Sequence, residues 1–533
     1  MLNRYYFASL IIVILLVFSA CDGVEPREDI DPENDNFNKT GMPIVDEPVT
    51  VQFMSGKSSA TADDYNDAFI WQEYEKMTNI HIDWGHTPND SLEHKRTLDI
   101  VAGDYPEAYY GAKIPDHELF ENGQHGIYLA LDDYIEEYMP NLRSLLDEYP
   151  EIEKGLSFPD GHIYSLPTIH EPEFLSIHSK IKPYIRKGWL EQLNMSIPET
   201  TDEFYNYLKA VQETDLLGNG SGEEVPFSAV DVDHLFHYLK GAFGLGNHGQ
   251  ENEYIDLHPG TEDLRFYPAS EEYKELLKYM HKLYSEGLID QNIYIMDYGE
   301  FTKQGANGVY GSVLTSNPEL FFGSEYEYTA MPALEGPKGD KDWTFVNSPL
   351  SRRDGFVITD RNDNIAATLR WMDYFYSEEG AELFFMGKEG ETFEFDENGN
   401  YNYKSELVDS DGLSLEHKLS PYFTYMDSGY PGIVYEQFYN GEASLPSSVE
   451  AMEKLKPDMI DEVWPRFTYT ADELDTLVNI EIDLHGTVDE MRMNFIVGRS
   501  SFDDWDEYLE TLEEIGLGDY LEVKQSAYER YKK

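Results

Sequence analysis

Cysteine is nearly absent from the 533 residues: Cys21 stands alone. The body of the chain can therefore hold no disulfide, no CxxC redox pair and no cysteine-ligated metal. Basic residues are scarce as well. Lys and Arg number 39 against 103 Asp and Glu, a net charge of −64. Nucleic acid and anionic membranes are bound through Lys/Arg patches, so this balance argues against both as partners and favours solubility. Beyond the first 20 residues no apolar run approaches the ~20 residues that a membrane-spanning helix needs. Catalytic signatures are missing too. Neither HExxH nor GxSxG occurs, and His81, His86 and His94 lack metal-ligand spacing. "FMSGKSS" holds Gly56-Lys57-Ser58, but Val51 stands where a phosphate-binding loop needs its first glycine. "GLGNHG" (244–249) follows helical rather than strand sequence, so it reads as a turn. In a chain this acidic, the spacing of carboxylate pairs carries no information about glycoside hydrolysis.

The N-terminus is informative. Arg4 precedes the uncharged run "YYFASLIIVILLVFSA", and the small residues Ser19 and Ala20 lead to Cys21. Charge, apolar run and small residues are the layout of a secretory signal peptide. A small residue directly before a lone cysteine resembles a bacterial lipobox, with Cys21 as the lipidated first residue of the mature chain. Residues 1–20 are thus expected as signal peptide. The polar, Pro/Asn/Asp-rich residues 21–47 are expected as a lipidated, unfolded tether.

From residue 48 onward strand and helix patterns alternate, which predicts βαβ units, a parallel sheet and an α/β fold. "VTVQFMSG" and "IHIDWGH" alternate as strands, with helical spacing between them. Pro198 and Thr200 or Thr201 open a helix, Gly287 ends another, and the last 65 or so residues read as mostly helical. The chain exceeds one ordinary domain, so two lobes are expected.

One loop has the composition of an ion site. "DLLGNGSGEEVP" offers oxygens from Asp215, Asn219, Ser221, Glu223 and Glu224, with glycines permitting a tight wrap. Leu217 stands where such a loop wants Asp or Asn. The same residues therefore also read as a polar hairpin. "DENGN" (396–400) reads first as a hairpin turn.

Several segments, in order, resemble one family. They are the lipobox at Cys21, "MTNIHIDW…LDIVAGDYPEAYYG", "DGHIYSLP", "YIRKGWLEQLNMSIPETTDEF", "DLLGNGSGEEVP", "MPALEGPKG", "GKEGETFEFDENG" and "FIVGRSSFDDWDEYLETLEEIGL". The family is the extracellular solute-binding lipoproteins of carbohydrate ABC importers. Gly188 departs from its pattern, as does Leu217. The resemblance implies a two-lobed, periplasmic-binding-protein-like fold with a hinge between the lobes and a helical C-terminal extension. It implies lobe 1 from 48–167 plus about 305–360, and lobe 2 from 168–304 plus about 361–533. It also implies an oligosaccharide ligand, ABC permease transmembrane subunits as partners, membrane attachment through the lipid, a monomer, a structural Ca2+ and no organic cofactor.

Sugars call for flat aromatics against their C–H faces and planar polar groups for their hydroxyls. In open parallel sheets ligands bind beyond the carboxyl ends of strands. On those grounds Lys57, Tyr110, Lys113, His170, Asn317, Trp343, Arg352, Arg353, Tyr422 and Tyr430 are the expected ligand contacts. Trp189 and Trp371 lie on apolar helix faces and are expected in the core. A surface enzyme cutting polysaccharide stays open as the alternative.

Overall fold

A computed structural model describes residues 36–57, 63–220, 222–408, 415–424 and 430–533. The cysteine, the signal peptide and most of the expected tether lie outside the described residues. Fourteen strands are described: β1 Val49–Lys57, β2 Ile80–Pro88, β3 Ala108–Tyr110, β4 Leu166–His170, β5 Lys182–Arg186, β6 Val225–Ala229, β7 Ile255–Leu257, β8 Leu264–Phe266, β9 Tyr310–Thr315, β10 Tyr328–Ala330, β11 Leu350–Ile358, β12 Phe393–Phe395, β13 Tyr401–Tyr403 and β14 Ile433–Val434.

They build two principal sheets, one per lobe. The first has the order β14-β4-β11-β3-β1-β2 and the second β10-β5-β9-β6. In the first, β1 runs parallel to β2 and β3, whereas β11 is antiparallel to β3 and β4. In the second, β9 runs parallel to β6 and antiparallel to β5. Each sheet has its own core. Phe53, Trp71, Trp84, Phe356, Trp371 and Phe375 fill lobe 1. Phe204, Phe227, Trp343, Leu484, Phe495 and Trp505 fill lobe 2. Trp189 and Trp371 are each only 1% exposed.

Local sequence accounts for the helix ends. The Thr200 hydroxyl accepts the Glu203 N–H (3.1 Å) and opens the helix Thr201–Glu213. Thr470 and Glu473 form a reciprocal capping box for the helix Ala471–Val497, which left-handed Gly498 ends. With Trp505–Ile515 and Leu517–Tyr531 it makes the helical extension. Among the described residues no helix is long and apolar enough to cross a membrane.

Two expected boundaries need correction. Residues 36–47 are not all tether, because Ile44 and Val45 are buried in the lobe 1 core and the Ile44 N–H bonds the Thr78 carbonyl (3.1 Å). Two apolar residues among many polar ones are diluted in an average over composition. The lobe boundaries also shift. β9, expected in lobe 1, pairs inside the second sheet, and 365–434, expected in lobe 2, packs on the first. The chain changes sheets between β4 and β5, between β10 and β11, and after β14, where the helix Pro446–Leu455 packs on β5 and β10. Periodicity marks a strand but does not name its partner, and the fully buried β9 suits either sheet.

Candidate functional site

The three crossings form the floor of a cleft between the lobes. Two adjoining cavities occupy it, of about 740 and 490 Å³, and they share His170, Ile177, Lys180, Ser351 and Arg352. Both fall in the range of small-molecule sites.

The larger cavity is polar. Lys113, Lys180, Arg352, Arg353 and Arg466 face Asp116, Glu251 and Asp354 there. Five cations against three carboxylates invert, locally, the sign of the whole molecule. Most of these charges are paired. Arg352 grips Asp354 through Nε (2.9 Å) and Nη2 (2.5 Å). Arg353, 6% exposed, donates to the Gly155 carbonyl (2.6 Å), to Asp116 (2.6 Å) and to the Arg466 carbonyl, so it joins lobe 1 to lobe 2. Neighbours on a regular strand point to opposite faces, yet Arg352 and Arg353 line the same cavity. The reason is local: the register of β11 against β4 shifts on both sides of Arg352. Such bulges re-aim side chains. Gly355 is required where β11 presses on β4, since a Cβ there would stand 2.8 Å from the Leu166 carbonyl oxygen.

Glu251 has its carboxyl pKa raised by burial, an effect that Arg466 and Arg353 oppose. His170 ends β4, and burial, helped by His178 and Lys180, pushes its pKa down to about 3. It therefore meets a ligand as neutral imidazole, with a donor and an acceptor.

The smaller cavity is aromatic. Tyr110, Phe384, Phe385, Tyr403, Phe423, Tyr430 and Tyr439 line it, with Thr168, Thr424 and Asn440 as polar points. Tyr430 is fixed by its neighbours. Its ring meets Phe385 edge-on at 4.9 Å, and its hydroxyl donates to the Phe375 carbonyl (3.3 Å).

Six of the ten expected contacts thus meet in the cleft: Tyr110, Lys113, His170, Arg352, Arg353 and Tyr430. Four do not. Lys57 is tied to Asp63 (2.6 Å) away from the cavity linings. Asn317 is 1% exposed and caps the helix Pro318–Phe322, while its amide donates to Ser447 (2.6 Å). Trp343 is fully buried against Tyr238 and Phe345, although its flanking "GDKD" is polar. Tyr422 packs on the lobe 1 core, and its neighbour Phe423 faces the cavity instead. Phe384 and Phe385 were missed, though one signal existed. Consecutive aromatics at a helix end lie about 100° apart, so both cannot face one core.

The expected ion loop is wrapped but thin. Gly218, Gly220 and Gly222 all take left-handed φ, at 68°, 63° and 65°. Asp215 accepts the Asn219 and Gly220 N–H groups (3.2 and 3.1 Å), and Glu224 accepts that of Leu217 (3.0 Å). The Leu217 side chain packs in the lobe 2 core and brings no side-chain oxygen. Among the described residues no three His, Cys, Asp or Glu side chains converge as a metal site, and Ser221 lies outside them.

The profile of the bacterial extracellular solute-binding proteins matches residues 58–382. The chain belongs to that family. This solute-binding protein is 31% identical over 507 residues to the fructooligosaccharide ABC transporter substrate-binding protein FusA of Streptococcus pneumoniae, covering 91% of each. The structure of that relative with kestose superimposes with a TM-score of 0.70, at 30% identity, over 91% of this chain and 99% of the other. An EF-hand mutant of the same relative, with fructo-nystose, matches at TM-score 0.69 and 29% identity over the same shares. The family is extracellular, and this member is a binding protein rather than an enzyme. The polysaccharide-cutting alternative is thereby set aside.

Proposed function

We propose that the protein captures an oligosaccharide between its lobes and delivers it to the transmembrane subunits of an ABC importer. The observation that carries this reading is the two-part cleft. One half offers aromatic faces for sugar C–H surfaces; the other offers planar and charged groups for hydroxyls. The polar points sit on rigid strands (Tyr110, His170 and Arg352), so they are ordered before the ligand arrives. Closure about the three crossings buries the sugar and presents both lobes to the permease as one surface. Tyr110, Lys113, His170, Arg352, Arg353 and Tyr430 are the proposed contacts, with Phe385, Phe423 and Tyr439 added.

Lipid on Cys21 would hold the protein at the outer face of the membrane as a monomer. Replacing Cys21 with Ser should then release it from the membrane fraction. In the loop at 215–224, Asp215, Asn219, Glu223, Glu224 and the Ser221 carbonyl would hold Ca2+ weakly, since Leu217 removes one of the six to eight oxygens that calcium prefers.

The test is thermal unfolding of the full chain in mild detergent against a panel of neutral and acidic oligosaccharides, kestose included. A ligand that binds only the folded state raises the midpoint by mass action. A rise with one sugar class and no shortened products supports capture. No rise with any sugar would sink it.

A further inference from the structure

The two cavities of the cleft continue into a third, which Tyr439 alone of the proposed contacts borders. It measures about 250 Å³ and is bounded by Ser176, Lys180, Lys182, Ser316, Tyr439 and Glu442. Lys180 lines all three cavities and so stands at their junction.

Lys182 is the unusual member. It opens β5 and is 1% exposed, yet its ammonium donates to a single group, the Ser176 carbonyl, at 3.2 Å. An ammonium has three donors, and a buried charge without full partners is costly. Among the described residues no carboxylate forms an ion pair with it. Glu442, on the same lining, is exposed and bonds neither lysine. Lys180 also lacks an ion pair among the described residues. In a chain with 103 Asp and Glu, two ammonium groups beside one cavity have no ion-pair partner among the described residues.

We propose that this annex is a subsite for an anionic group, a carboxylate on an acidic sugar unit, carried by the oligosaccharide that lies in the cleft and held by Lys180 and Lys182. The inference rests on the cleft being an oligosaccharide site. The annex is smaller than an ordinary ligand site, so it suits one charged unit while neutral units occupy the aromatic half. The groups facing Lys182 are Lys180, Glu442 and the hydroxyls of Ser176, Ser316 and Tyr439. Burial pushes the Lys182 pKa down to about 8, with Glu442 opposing. A bound carboxylate raises it again, so binding near pH 8 takes up a proton.

The test is calorimetry on the full chain in mild detergent, with matched pairs of neutral and acidic trisaccharides (galactotriose and trigalacturonate, mannotriose and trimannuronate), kestose as a further neutral sugar, and inorganic phosphate and free galacturonate alone. An acidic trisaccharide is expected to bind about 10-fold or more tightly than its neutral partner, the scale of a charge-assisted hydrogen bond. Lys182→Met removes that advantage and leaves neutral affinity within about 2-fold; Lys180→Ala also removes the advantage, and because Lys180 lines the main cleft too, its neutral affinity is not used as a control. Lys182→Met also abolishes proton uptake, read from two buffers of different ionisation heat. Lys182→Gln serves if the Met variant fails to fold. Acidic and neutral sugars binding equally, or an acidic advantage that survives loss of Lys182, overturns the annex and leaves the cleft reading intact. Binding of phosphate or free galacturonate without any acidic trisaccharide also overturns it. No sugar of either class binding the folded protein overturns the cleft reading and this inference together.

Discussion

Arg353 offers the sharpest test of how the lobes cooperate. It spends two hydrogen bonds inside lobe 1, on Gly155 and Asp116, and one on the Arg466 carbonyl of lobe 2. Bonds to a charged group contribute about 1.5–3 kcal/mol each. Asp116 is 42% exposed on its side chain and can return to water, so its share is discounted. Arg353→Met should cost about 3–5 kcal/mol of folding stability, as expected for breaking a mostly buried charge contact. The single bond to lobe 2 is about 1.5–3 kcal/mol, or roughly 10- to 100-fold on the lobe arrangement that contains it. A ligand that needs that arrangement should weaken by at least this factor, with any direct contact from Arg353 adding to it. Asp116→Ala removes an intralobe bond only. It should lower stability but spare most of the affinity. Urea unfolding and calorimetry, run on both variants with the best sugar of the panel, measure the two effects separately. Equal loss of affinity in the two variants would refute the idea that Arg353 couples the lobes, and unchanged affinity in Arg353→Met would do the same.

Three further outcomes are expected. Tyr430→Ala should weaken oligosaccharide binding several-fold, because a stacked ring contributes about 0.5–1.5 kcal/mol beyond its buried area; calorimetry against the folded variant checks this. Lys182 has a folded pKa of about 8 against 10.5 when unfolded, so the folded chain binds fewer protons between those values and stability rises with pH there. Lys182→Met should therefore stabilise most at pH 7, by up to about 3 kcal/mol, and the gain should shrink as pH climbs through 8; urea midpoints at pH 7, 8 and 9 follow it. Finally, chelator should lower the thermal midpoint only relative to millimolar calcium, and replacing Asp215 with Ala should abolish that difference.

Much of the cleft could be read along the chain because its residues follow strands whose ends are marked locally. Tyr110 ends β3 just before Gly111, and His170 ends β4 just before Glu171. Trp343 and Asn317 misled for the opposite reason. Polar flanks around Trp343 suggested a surface, but its ring is covered by Tyr238 and Phe345 from elsewhere in the chain. Asn317 follows a strand as a ligand residue would, and instead closes a helix end and a contact to Ser447.

The sequence by itself determined the secreted, acidic, thiol-poor character of the chain, the α/β alternation, the helix caps and the family. Each of these depends on composition or on neighbours a few residues apart. Only the tertiary structure decided which sheet owns β9, where the chain crosses between lobes, and that a bulge in β11 turns Arg352 and Arg353 into one cavity. It alone set Lys180 and Lys182 beside Ser316, Tyr439 and Glu442. Strand partners and cavity walls come from residues far apart in the chain, and local periodicity carries no record of which distant segment will cover them.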